Sequence, residues 1–252
     1  LLAQLLSEPE RQYIFDSVQD AVRIDGRQCL AYRQAALRLD LLCYATASAQ
    51  VSLGETDVLV SVREEDNPGA TAQQQGSTGS VAVQQQQAVS HPVSVWVDCS
   101  CLGSGPEQQQ LADEAQAHLS SLYRCLRTPT PVFVDILLLG YDGNLLDAAS
   151  IAASAALMRA LPASLLSAQA LPLFATVHRI GSQQIVDANQ LEESCSMARV
   201  TVGVDSNGRL VACQTCGEGS LQFESMTEII ETGVRKAMML HDSVAKLVAR
   251  VL

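Results

Sequence analysis

Residues 131–160 read PVFVDILLLGYDGNLLDAASIAASAALMRA, and the rest of the chain is organised around them. Val132 to Leu139 is a nearly unbroken apolar run rich in branched residues, which predicts a strand buried on both faces. Tyr141-Asp142-Gly143-Asn144 is turn chemistry: glycine takes a positive φ at little cost, and asparagine can cap a helix that starts after it. Leu145 to Ala160 then reads as a helix of Ala, Leu, Ile and Met with almost no polar face, which places it in the interior of a domain. A strand that turns tightly into a buried helix aims the helix's free N–H groups at one spot. That spot is a natural seat for a phosphate.

On the N-terminal side, LLAQLLSEPERQYIF predicts an amphipathic helix that breaks or restarts at Pro9 and, lacking a basic leader and a cleavage site, is not expected to be a secretory signal. Residues 17–27 end in a turn on Asp25-Gly26. Ala35-Leu37-Leu39, Ala47-Ala49-Val51-Leu53 and Val58-Val60-Val62 alternate with polar residues and predict three strands in an antiparallel meander. Asp66 to Ser90, biased toward Gln, Ser, Gly and Ala, predicts a disordered surface insertion (66–90). Val93-Val95-Val97 is a fourth strand, and Glu107 to Arg127 a helix whose His118 is expected to be a packed or half-exposed side chain rather than a ligand or base.

On the C-terminal side, Gly181-Ser182 and Asn207-Gly208 mark two hairpins. Gln222 to Val251 is a long amphipathic helix with an apolar stripe from Phe223 to Leu247. Strands, helix, strand, helix, strands, helix is the order of an α/β (α+β) domain in two βαβ-like halves with mixed and antiparallel sheets, here expected as a single domain over residues 1–252.

With 252 residues, 48% of them hydrophobic and 17% charged, the chain can bury a large core, and no apolar run reaches the length of a membrane span. Its net charge of −11 argues against strong stand-alone binding to nucleic acid, which depends on cations that displace counterions from phosphates. The eight cysteines are expected as reduced, mostly buried thiols. Cys213 and Cys216 have metal-knuckle spacing without a convincing second pair, so neither a metal nor a cofactor is expected.

Four motifs in order carry a family resemblance. They are Arg23-Ile24-Asp25-Gly26-Arg27 with Tyr32-Arg33, the run from Ala47 to Asp57, the run from Val134 through Asp142-Gly143-Asn144 to Ala148, and Val186-Asp187 with Glu192-Glu193, Cys195 and Met197 to Val202. In these the chain resembles the RNase PH family, over nearly its whole length apart from the Gln-rich segment. The resemblance implies an RNase PH-like fold and membership of a six-membered ring. Some such proteins are phosphorolytic 3′→5′ exoribonucleases, and others are inactive ring subunits of the eukaryotic RNA exosome.

Phosphorolysis needs a phosphate site of backbone N–H groups, hydroxyls and arginine, and acidic residues to hold a metal or assist proton transfer. Active relatives follow the turn glycine with Ser, Thr or Arg; here Gly143 is followed by Asn144, Leu145 and Leu146. Asn144 and Asp147 have the spacing of a reciprocal cap, so Asp147 is expected to put its carboxylate where phosphate would sit. Like charges about 4 Å apart repel by roughly 4 kcal/mol at an effective dielectric near 20. Active relatives also carry two carboxylates six residues apart, matched here by Glu193 and Arg199, which are expected to form an ion pair and to repel a divalent metal. The matching positions being degenerate, the chain is expected to be non-catalytic, with no catalytic residue.

By the same resemblance, Arg124 and Arg127 are expected near the central pore, in reach of RNA phosphates. Expected partners are other RNase PH-like ring subunits, caps with S1 and KH domains, a separate exosome nuclease and RNA in the channel, met through edge strands and an exposed apolar stripe of the last helix. The expected setting is rRNA maturation and mRNA decay in nucleus, nucleolus and cytoplasm. The competing readings are an active phosphate-dependent exoribonuclease and an unrelated small-molecule enzyme, for which the sequence offers no nucleophile–base cluster or glycine-rich nucleotide loop.

Overall fold

The computed structural model describes residues 6–65, 91–217 and 223–251; the Gln-rich segment 66–90 lies outside them. Helix α1 (Glu8–Gln19) starts beside Pro9, which sits in its first turn where the missing N–H costs nothing. Strands β1 (Ala35–Leu39), β2 (Ala47–Leu53) and β3 (Thr56–Glu64) form the expected antiparallel meander. Strand β4 (His91–Asp98), helix α2 (Pro106–Leu122), the short β5 (Arg127–Thr128) and β6 (Val132–Gly140) complete a six-stranded sheet in the order β1-β2-β3-β6-β4-β5. The pair β4–β6 is parallel, bridged by α2, and β3–β6 is antiparallel, so this sheet is mixed.

After β6 come the buried helix α3 (Leu145–Ala160) and the short α4 (Ala163–Ala168). The second sheet is antiparallel, ordered β10-β9-β7-β8, from β7 (Pro172–Ile180), β8 (Gln183–Val186), β9 (Ala198–Asp205) and β10 (Leu210–Cys216). A five-residue helix, α5 (Gln190–Ser194), separates β8 from β9, and α6 (Phe223–Val251) closes the chain.

Helix α3 packs against β2 and β3 on one side and β7 on the other, so it lies between the two sheets. Every residue from Leu145 through Leu157 is buried, which is why its sequence has no polar face. The serines within it have partners. Ser150 Oγ accepts the N–H of Phe174 at 3.0 Å, and Ser154 Oγ donates to the carbonyl of Pro172 at 3.0 Å, tying the helix to the start of β7. Each full burial of a Leu or Ile there contributes about 1.5–3 kcal/mol.

Several expectations are corrected. Strand β6 alternates between buried and half-exposed residues, because helices cover only one face of its sheet. The apolar stripe of α6 is not exposed along its length: Ile229, Ala237 and Val244 are buried, because α6 is the layer that covers β7 and β9. Among the eight free cysteines only Cys99 is buried, while Cys43, Cys101, Cys125, Cys213 and Cys216 are exposed on loops and the edge strand. Helix α2 stops at Leu122. Tyr123–Cys125 is a 3-10 turn and Arg127 already belongs to β5, so Arg124 and Arg127 do not share a helix.

Candidate functional site

Two consecutive left-handed residues, Gly143 (φ 78°) and Asn144 (φ 57°), turn β6 into α3. Glycine is required at the first: a β-carbon there would stand 2.6 Å from the carbonyl oxygen of Ala188. Thr56 clamps the turn, donating to the carbonyl of Gly143 at 2.6 Å and accepting the N–H of Asp142 at 2.9 Å.

The side chain of Asn144 does not cap the helix. It is buried, and its Nδ2 donates to Asp187 Oδ1 at 2.8 Å and Asp147 Oδ2 at 3.2 Å. Asp147 does not cover the helix end either, which corrects the second half of the expected reciprocal cap. Its Oδ1 accepts from Thr176 Oγ1 at 2.7 Å, and its Oδ2 accepts from the N–H of Thr176 at 3.1 Å and from Tyr32 Oη at 2.8 Å. The carboxylate is thus turned toward β7 and enclosed. Burial pushes its pKa up to about 6, while the bonds from Thr176, Tyr32 and Asn144 restrain the rise.

The carboxylate at the head of α3 is that of Glu193, reaching over from α5. Its Oε1 accepts the N–H of Asn144 at 2.8 Å and its Oε2 accepts from Tyr141 Oη at 2.8 Å. Burial raises the pKa of Glu193, opposed by the Asn144 amide, Tyr141 and the charge of Arg199. His178 Nε2 lies 3.9 Å from Glu193 Oε1, but burial, with help from Arg199 and Arg23, lowers the histidine to about 3. It is neutral at physiological pH, and the contact is not an ion pair.

Arg199 sits on β9 opposite His178, on a different element from Glu193. Among the described residues it forms no ion pair with Glu193, so the expected pairing is corrected; the two act on each other through space. Both line a small cavity of about 40 Å³ at the helix head, together with His118, Asn144, Leu145 and Leu146. A larger cleft of about 600 Å³, shared in part with that cavity, is lined by Glu107, Glu114, Tyr141, Glu193 and Arg199. His118 is half-exposed, as expected, and it lines the cavity. Burial and the Arg199 charge lower its pKa. Arg124 and Arg127 are exposed beyond the C-terminus of α2 and do not line the cavity. Among the described residues, no group of three or more His, Cys, Asp or Glu is placed to hold a metal.

Sequence reasoning also missed the brace behind this site. Asp187, at φ 50° and fully buried, accepts from Arg27 Nη1 at 2.9 Å, from the backbone N–H of Arg33 at 2.6 Å and from Arg33 Nη2 at 2.8 Å. Burial pushes the acid up, but Arg33 and Asn144 outweigh it, and its pKa lies below the usual carboxylate value. Arg33 continues to Asp142, at 3.0 Å, and Arg23 pairs with Glu192 where neither side chain has any exposure. The signal was present: Arg23, Arg27 and Arg33 crowd eleven residues of a chain with 16 basic residues in all.

Comparison with known proteins places this geometry. The profile of the 3′ exoribonuclease family, domain 1, matches residues 31–161, and that of domain 2 matches residues 170–236. The chain is 26% identical to the exosome complex component Rrp42 of Thermococcus onnurineus, over 97% of each. It is also 26% identical to the Methanothermobacter thermautotrophicus protein of the same name, over 94% of each. A chain of the Archaeoglobus fulgidus exosome with RNA bound to the active site superposes with a TM-score of 0.71 at 26% identity, covering 94% of this chain and 98% of that one. Rice Rrp46, at 22% identity and a TM-score of 0.69, shares the fold over 90% of this chain and all of its own. With the domain 1 profile spanning more than half of its length and the domain 2 profile following in order, the chain belongs to the RNase PH-type 3′ exoribonuclease family.

Proposed function

We propose that this chain is a non-catalytic subunit of an RNase PH-like exosome ring, scaffolding 3′→5′ RNA processing and degradation while other subunits supply the chemistry. Likeness to Rrp42 exosome components over nearly the full length of both chains supports the ring, and the exosome core with RNA supports RNA as its substrate. Its partners are other ring subunits, S1/KH caps and a separate nuclease. Exposed Arg124 and Arg127 are the positions we assign to RNA phosphates in the channel.

The observation that carries the non-catalytic reading is Glu193 at the head of α3. Its carboxylate already takes the Asn144 amide that an incoming phosphate would use. Leu145 and Leu146 offer no donor side chain beside it, and Arg199 stands where the resemblance calls for the second acid. A phosphate entering that cavity meets a carboxylate on the amide and finds no paired acids to assist the leaving oxygen.

The test is phosphate-dependent release of nucleoside diphosphates from single-stranded RNA by the chain reconstituted with its ring partner. The chain is expected to add nothing when the partner's own acidic pair is disabled. Release that persists in that complex and disappears on Glu193→Ala would establish the active reading instead.

A further inference from the structure

A separate recess of about 330 Å³ opens beside the chain's only tryptophan. Trp96 stands on the uncovered face of β4, 63% exposed, although a side chain of this size ordinarily buries most of its area. The floor is apolar, with Cys99 and Ala112 both buried. The rim is polar, formed by Asp98, Gln108 and Gln109. Gly103, at φ 109° with open space where a β-carbon would stand, leaves the mouth clear.

The charge around this recess selects its occupant. Among the described residues, no lysine or arginine lines it. Across the strand from Trp96, Asp135 is already paired with Arg63 at 2.7 Å, whereas Asp98 is engaged by one backbone N–H, that of Ser100 at 2.8 Å. The amide of Gln109 donates to Asp113, leaving its carbonyl oxygen as an acceptor. The N-terminus of α2 adds little for an anion, since Pro106 has no N–H and Glu107 occupies the first turn. Nucleic acid would bring phosphates to an acidic rim on a chain of net charge −11. An aromatic face with a carboxylate and an amide oxygen beside it is instead suited to a cation, and best to the planar guanidinium, which stacks and donates in several directions.

We propose that the Trp96 recess is a docking site for an arginine side chain carried by a segment of a partner protein, stacked on the indole and bonded to Asp98. Because Trp96 is the sole tryptophan, its fluorescence reports occupancy directly. The test titrates the full chain with the peptide acetyl-Gly-Arg-Gly-amide, with acetyl-Gly-Gln-Gly-amide and with oligoadenylate, at matched ionic strength. The arginine peptide is expected to give a saturable change in emission, and the glutamine peptide and oligoadenylate none. Asp98→Asn is expected to raise the half-saturating concentration at least threefold, and 0.5 M salt should do the same to the unaltered chain. Equal responses to the two peptides, saturation by oligoadenylate, or an arginine response indifferent to both Asp98 and salt would overturn the assignment.

Discussion

Glu193 Oε1 accepts the backbone N–H of Asn144 at 2.8 Å, so a carboxylate carried by α5 closes the head of a helix that begins forty-eight residues earlier in the chain. The second oxygen of Glu193 is held by Tyr141, which fixes the angle of the carboxylate over the turn. The arrangement sets a carboxylate on a helix N-terminus, which favours negative charge, beside a cavity of about 40 Å³ that shares Tyr141, Glu193 and Arg199 with the larger cleft.

Truncating this side chain should therefore cost stability. Glu193→Ala leaves the Asn144 amide and the Tyr141 hydroxyl without their acceptors, a loss of about 1–3 kcal/mol, with water from the adjoining cleft favouring the lower end. Glu193→Gln keeps an oxygen for the amide and turns an NH2 group to Tyr141 Oη, which can accept, so it should cost less than about 1 kcal/mol. Urea midpoints measure both. An alanine variant as stable as the parent would remove Glu193 from this role.

Asp147 gives the fold a pH dependence of definite sign. The native acid keeps its proton to about pH 6, whereas the unfolded chain releases it near 3.8. Between those values the native state binds more protons, so this group's contribution falls as pH rises from about 4 to about 6, by at most on the order of 3 kcal/mol. His178, lowered to about 3, acts the opposite way across the same range, because there the unfolded state holds the extra proton. Asp187, depressed by Arg33, contributes below the window. Subtracting the pH–stability curve of Asp147→Asn isolates one group. The parent-minus-variant difference should decline between pH 4 and pH 6, and a flat difference would mean that Asp147 titrates near its ordinary value.

Much of this architecture was legible because it is local. Alternation in Ala47–Leu53 and Val58–Val62 is read by counting twos, and the unrelieved apolar character of Leu145–Leu157 requires an interior position wherever the sheets lie. The turn at Gly143 was legible for the same reason. What the sequence did not show are partners set by topology. Asp147 is three residues from Asn144 and has helix-capping spacing, yet three of its four hydrogen bonds go to Thr176 and Tyr32, which lie 29 and 115 residues away. Similarly, Glu193 and Arg199 look like a strand pair at six-residue spacing. The chain between them leaves a helix at Ser194 and enters β9 at Ala198, and the expected ion pair is lost in that change of element.

Gly143→Ala should be among the most damaging single-methyl additions in the molecule. The position combines a left-handed φ of 78° with a backbone carbonyl, that of Ala188, 2.6 Å from the new carbon. Strain of this kind costs on the order of 1–3 kcal/mol before the clash, and the carbonyl cannot step aside as a flexible side chain could. Gly26→Ala serves as the control, because its φ of 76° is similar and nothing lies within 4 Å of the added carbon. Thermal unfolding should show a clearly larger loss for Gly143→Ala than for Gly26→Ala. Equal losses would mean that the turn has room to relax.

The Arg23–Glu192 pair should behave as a buried ion pair whose halves are worth less together than either is harmful alone. Both side chains have no exposure, and Arg23 also donates to the carbonyls of Val186 at 3.0 Å and Asp187 at 2.8 Å. Glu192→Leu leaves the guanidinium buried without its counter-charge, at a cost of about 3–5 kcal/mol. Adding Arg23→Met removes that charge but takes a donor from three carbonyls, those of Ala31, Val186 and Asp187, while the Asn189 N–H has already lost Glu192 as its capping-box acceptor. The double variant should therefore remain below the parent yet stand above Glu192→Leu, a non-additivity of roughly 1–3 kcal/mol in a double-mutant cycle read by urea unfolding. Strict additivity would mean that the two side chains stabilise the fold independently, contrary to the contact between them.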